Sequence, residues 1–131
     1  MKHKEFKRGY VITALWTEDP DKPQGDYEEN GNHDELWASL PYSIKKEMLS
    51  DCDDFVAYCE RYGIEDWKDI SESKSAGADF WLSRNGHGAG FFDSGWYVSH
   101  LLQKAARIWG SYDALWIEIK SLFGSAEEES E

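Results

Sequence analysis

The chain has 131 residues, a formal net charge of −12 and a pI near 4.7, with 40% hydrophobic and 15% aromatic residues. That length makes one domain with a modest core, and seven Trp, seven Tyr and six Phe exclude a disordered chain, which would be poor in rings. The acidic balance argues against direct nucleic-acid binding, which needs a basic footprint on phosphates, and leaves a basic protein partner, a nucleic-acid-like surface or simple solubility.

In chain order, Lys2, Lys4, Lys7 and Arg8 make a small basic patch. The stretch 1–16 lacks the apolar segment of a secretion signal, and no run approaches eighteen apolar residues. A cytoplasmic location without membrane contact is therefore expected. Residues 9–16, "GYVITALW", carry β-branched and aromatic side chains and read as a strand. Residues 17–36 are rich in Asp, Glu, Pro and Gly, a long acidic loop without periodicity. Loops of that length are functional or disordered.

A helix is predicted over about 41–62. Ile44, Met48, Cys52, Phe55, Val56, Cys59 and Tyr62 recur at three and four, with Pro41 in the first turn and Gly63 just past the end. Cys52 and Cys59 fall on that face about two turns, ~10 Å, apart, too far for a disulfide and without zinc spacing. They read as small buried hydrophobes. A connector with one helical turn near Trp67 and Ile70 follows. A second helix is predicted over about 95–109, capped by Asp93 or Ser94 and stopped by Gly110. Residues 113–119 fit either period and read as a strand on their β-branched and aromatic content. The acidic tail 125–131 reads as disordered, after a single domain over 1–124.

Between the two helices lies "ADFWLSRNGHGAGFFDSGW", residues 78–96. Asn-Gly is the strongest short hairpin signal, because both central residues of a type I′ turn need positive φ. With Asn85 and Gly86 at the turn, Phe80, Leu82, Arg84, His87, Ala89 and Phe91 share one face. Asp79, Trp81, Ser83, Gly88, Gly90 and Phe92 share the other. The expected fold is α+β: a small antiparallel sheet, centred on a hairpin at about 79–92, packed against the two helices.

The hairpin offers a ligand or partner site at Trp81, Arg84, Asn85, His87, Gly88 and Gly90. Arg84 can fork a carboxylate or phosphate, His87 can titrate near neutrality, and a glycine across from Trp81 either packs its ring or opens a groove. The alternative is a purely structural turn. The glycines do not make a phosphate loop. A catalytic set is incomplete, since Asp79 and Asp93 would lie ~17 Å from the tip at strand rise. A second candidate is an acidic partner surface made of Asp26, Glu28, Glu29, Asp34, Glu35, Asp51 and Asp54. His33 among those carboxylates lacks the order of an EF-hand loop, so neither a metal nor another cofactor is expected.

The segment "ADFWLSRNGHGAGFFD" resembles the Asp-Phe-Trp-Leu-Thr-Arg-Asn-Gly-His-Gly-Ala-Gly-Phe-Trp-Asp signature of a widespread family of small bacteriophage-encoded proteins. Ser83 stands for the Thr and Phe92 for the second Trp. "ALW" at 14–16 and "DCDDF" at 51–55 are also similar, so the likeness spans roughly 10–110. The chain departs from the family after Gly110, where "ALWIEIKSLFG" replaces a strand ending Gly-Asp-Asp-Gly. The resemblance implies a phage accessory protein in the cytoplasm of the infected cell and supplies no activity. Combined with the charge, it favours a protein that binds the basic surface of a host factor, as an acidic or DNA-mimicking inhibitor of a defence or nucleic-acid-processing system. The rival expectation is a nucleotide or small-ligand binder using Trp81, Arg84 and His87.

Overall fold

The computed structural model describes residues 2–19, 34–64, 67–87, 90–93, 95–96 and 99–129, with the side chains of 93 and 123–129 outside the described set. Among these residues there is no strand, and the α+β expectation is overturned by seven α-helices. They are α1 (Lys4–Glu18), α2 (Asp34–Ser39), α3 (Tyr42–Arg61), α4 (Trp67–Ser71), α5 (Lys74–Arg84), α6 (Ser99–Trp109) and α7 (Asp113–Glu129), with a 3₁₀ turn at Phe91–Asp93. The helices expected at 41–62 and 95–109 correspond to α3 and α6, the latter starting at Ser99 and ending where Gly110 takes φ +68.

The strand expected at 9–16 is part of α1. Its buried residues, Phe6, Tyr10, Ala14 with Gly9 and Thr13 beside them, recur at helical spacing, and Val11 also packs against the core. Burial on so wide an arc hides the period, and tertiary packing overrides the mild helix cost of Val, Ile and Thr. The strand expected at 113–119 is the first half of α7. Leu115 and Ile119, one turn apart, are buried, whereas Ile117 between them is 58% exposed. The tail at 125–129, expected to be disordered, continues the α7 backbone to Glu129.

The hairpin is likewise a helix end. Asn85 has φ −92 and ψ 4, where a type I′ turn needs positive φ. Gly86, at φ +73, donates its N–H to Ser83 O at 3.3 Å, and His87 donates to Leu82 O at 3.0 Å. Those two bonds form a Schellman motif closing α5, with glycine at the left-handed position. The same motif closes α3, where Gly63 donates to Glu60 O and Ile64 to Cys59 O. Ser73 starts α5, its Oγ accepting from Ala76 N at 3.1 Å.

The core is made of rings, as the composition suggests. Phe55 and Phe80 stack at 4.2 Å between centroids. Phe6, Tyr10 and Phe91 continue the stack, and Trp109 meets Phe55 and Phe80 edge-on. Offset and edge contacts of this kind are the favoured geometries for aromatic pairs. Cys52 and Cys59 are buried free thiols within it. Burial pushes the Cys59 thiol up to about 12 and raises Cys52 well above its ordinary value.

Candidate functional site

The described part of the signature segment forms α5, its Schellman turn and the 3₁₀ turn, with Ser83 and Arg84 buried. Arg84, in the last turn of α5, is the centre. Its Nε donates to Gly110 O at 2.8 Å, and Nη1 donates to Tyr10 Oη at 2.9 Å and to Asp51 Oδ2 at 2.8 Å. Nη2 reaches Trp109 O at 3.4 Å. Four of the five guanidinium N–H donors thus have partners inside the fold. The Arg84 side chain is 4% exposed, with its guanidinium carbon 5.6 Å from the Phe80 ring centre and 5.3 Å from that of Tyr112. Two of its acceptors are the carbonyls of Trp109, the last residue of α6, and of Gly110 just past it, at a helix end where the dipole favours a cation. One side chain therefore ties α5 to α1, α3 and the end of α6.

The protonation states follow from this cage. Burial works to lower the Arg84 pKa, but Tyr10 and Asp51 outweigh it and hold the guanidinium above its ordinary value. Burial also raises the Tyr10 phenol well above its ordinary range, so it stays neutral. Asp51 is pushed upward by burial against the bond and charge of Arg84, with Glu47 and Asp54 adding to the rise. Asp51, expected on an acidic partner surface, is instead the half-buried counter-ion of Arg84.

The neighbours of Arg84 are used in the same way. Asn85 donates from Nδ2 to Trp81 O at 2.8 Å and accepts at Oδ1 from Tyr112 N at 2.9 Å. It joins α5 to the start of α7. Trp81 is fully buried, its Nε1 donating to Thr17 Oγ1 at 2.8 Å and its ring edge-on to Tyr10 at 5.4 Å. Of the two alternatives for Trp81, a packed ring or an open groove, the packed ring is the one present, without the hairpin. Gly90 has φ +133, and a Cβ there would sit 2.4 Å from Ser83 Oγ. That oxygen accepts from Phe91 N at 3.0 Å and donates to Gln103 Oε1 at 2.7 Å. Gly88 lies outside the described residues.

His87 is exposed whereas Arg84 is buried, so the two do not project together as a polar pair. Of the acidic candidates, Asp26, Glu28 and Glu29 lie outside the described residues, as does His33. Asp34 and Glu35 are exposed in the first turn of α2, and Asp54 is exposed on α3. Glu47, seven residues before Asp54 and on the same side of α3, is exposed as well. A second buried cation stands outside the signature. Lys7 Nζ lies 2.8 Å from Asp53 Oδ1 with its side chain 6% exposed, and burial lowers the nearby His3.

Sequence reading missed Tyr10, Gln103 and Tyr112 as partners of the signature. Tyr10 was findable, since Phe6, Tyr10 and Ala14 are spaced at four, which puts them on one helical face. Among the described residues no group of three or more His, Cys, Asp or Glu is arranged to hold a metal ion, and no helix is long and apolar enough to cross a membrane. Comparison with protein-family models, with curated proteins and with solved structures finds no match to this chain.

Proposed function

We propose that the chain acts by binding a protein partner through its acidic surface, engaging a basic face of the kind that otherwise contacts nucleic acid. The observation that supports this reading is the exposure of Glu35 on α2 and of Glu47 and Asp54 on α3, in a chain of net charge −12. Such a field steers and orients a cationic surface. Placed beside the resemblance to phage-encoded proteins, the reading is a host-cytoplasmic accessory protein that occupies a defence or nucleic-acid-processing factor. The nucleotide-binding alternative is the weaker reading, because Trp81 and Arg84 make internal contacts and only His87 of its three residues is exposed.

The test is capture of host proteins on the immobilised chain over a salt series, alongside a variant carrying Glu35→Gln, Glu47→Gln and Asp54→Asn. A specific partner should be lost as salt rises from about 0.1 M towards 1 M, where the screening length falls to about 3 Å. It should also be weakened by the neutralised variant. Capture unchanged at high salt by both proteins would reject the electrostatic reading.

A further inference from the structure

The outer face of α7 exposes an aromatic and an aliphatic side chain next to each other. Leu115 and Ile119 hold α7 to the core, and on other sides of the same helix Trp116 is 49% exposed and Ile117 58% exposed. Trp116 and Ile117 thus form an exposed apolar patch between charged residues, the pattern of an interaction surface. Its charged neighbours are ordered. Asp113 and Lys120 are both exposed and lie one step before Trp116 and one step after Ile117 on the same helical stripe. Lys120 Nζ sits 4.8 Å over the Trp116 ring, which fixes that side chain on this face.

We propose that this face docks a second copy of the chain, as an antiparallel α7 pair about a two-fold axis between Trp116 and Ile117. The order acid, aromatic, aliphatic, base is complementary to itself when reversed. Under that symmetry Trp116 meets Ile117 of the partner subunit, and Asp113 meets Lys120 of the partner subunit, each contact occurring twice. An isologous interface requires this self-complementarity. The stripe carries one charge of each sign in a chain of net charge −12, so no like charges of the stripe face each other across the axis. Remaining repulsion is long-range and screened by salt, which gives the dimer a salt dependence opposite to that of the acidic surface proposed above.

Sedimentation equilibrium on the full chain tests the pairing. The chain should be dimeric at ~100 µM, and more so at 0.3 M salt than at ~0.03 M. Ile117→Asp should be monomeric, and Asp113→Lys and Lys120→Asp should each weaken association about ten-fold or more. The double variant Asp113→Lys/Lys120→Asp restores opposite charges across the axis and should recover association to within about three-fold. Helical content by circular dichroism checks that each exposed substitution leaves the fold intact. A monomeric wild type at every concentration, a dimeric Ile117→Asp, or a folded double variant no better than the single ones would each overturn the proposal.

Discussion

Gly9 of α1 and Gly77 of α5 let their helices touch backbone to backbone. A Cβ on Gly9 would fall 1.8 Å from the Lys74 carbonyl oxygen, and a Cβ on Gly77 would fall 1.8 Å from that of Phe6. Each glycine makes room for the other helix, in two places along one crossing. In an ordinary helix, glycine to alanine stabilises by about 1 kcal/mol. Here either Gly9→Ala or Gly77→Ala should destabilise by about 3 kcal/mol or more, because backbone must move. Urea unfolding decides the sign, and a stabilised variant would refute the close crossing.

The Arg84 cage makes a graded prediction. Arg84→Met strands Asp51 and Tyr10 and uncaps the end of α6, and should cost about 3–5 kcal/mol. Asp51→Asn keeps an acceptor for Arg84 and leaves the three other partners, so it should cost only about 1–2 kcal/mol. Arg84→Lys should fall nearer to Met than to wild type, since an ammonium cannot span four acceptors as a planar fork does. Equal losses in the Arg84→Met and Asp51→Asn variants would show that the ion pair, and not the cage, is what matters.

Gly86 and Gly90 separate two reasons for a glycine. Nothing lies within 4 Å of a Cβ on Gly86, whose φ is +73. Gly86→Ala should therefore cost only the left-handed backbone penalty, about 1 kcal/mol. Gly90→Ala adds a collision with Ser83 Oγ to an unfavourable φ and should cost at least ~2 kcal/mol. Ser83→Ala would relieve the collision, so the double variant should lose less than the sum of its parts.

Stability should fall on the alkaline side. Cys59 is raised from 9.0 to about 12 and Cys52 well above 9.0, both chiefly by burial, and Tyr10 and Tyr112 are raised from 10.0. A raised folded pKa means that the unfolded chain ionises first. The contribution is whole below the unfolded thiol value and is lost as pH climbs from there through the folded one. Thermal midpoints should hold to about pH 8.5 and drop above it. Replacing both cysteines by alanine should flatten the first part of that drop. Thiol reagents should reach neither cysteine in the folded chain at neutral pH.

The sequence was legible where one face was apolar and the other polar. α3 shows this, with Met48, Cys52, Phe55 and Cys59 against Glu47 and Asp54, and its end at Gly63 is correct. It failed where burial surrounds the helix. In α5 the run Phe80, Trp81, Ser83 and Arg84 is buried almost without interruption, and a continuous apolar run does not distinguish helix from strand. Asn-Gly then tipped the choice, since the pair serves a hairpin turn and a Schellman cap equally well. α7 misled for the reverse reason: exposed Trp116 and Ile117 gave it the composition of a buried strand. Of the candidate site, the importance of Arg84 and Asn85 was visible but its direction was not. Whether a guanidinium faces a ligand or a cage depends on Tyr10, Asp51 and Gly110, which lie 74, 33 and 26 residues away.

Those separations bear on the order of folding. Tyr10, Asp51, Arg84 and the Trp109–Gly110 carbonyls come from four parts of the chain, and a buried polar cluster with only some of its partners is worse than none. The cage should therefore close after the rings of Phe6, Phe55 and Phe80 have met, on the native side of the rate-limiting barrier. In that case Arg84→Met leaves the refolding limb of a chevron nearly unmoved and raises the unfolding limb by almost the whole destabilisation. The residue at the centre of the signature would then act as a latch, setting how long the folded chain lasts and not how fast it forms.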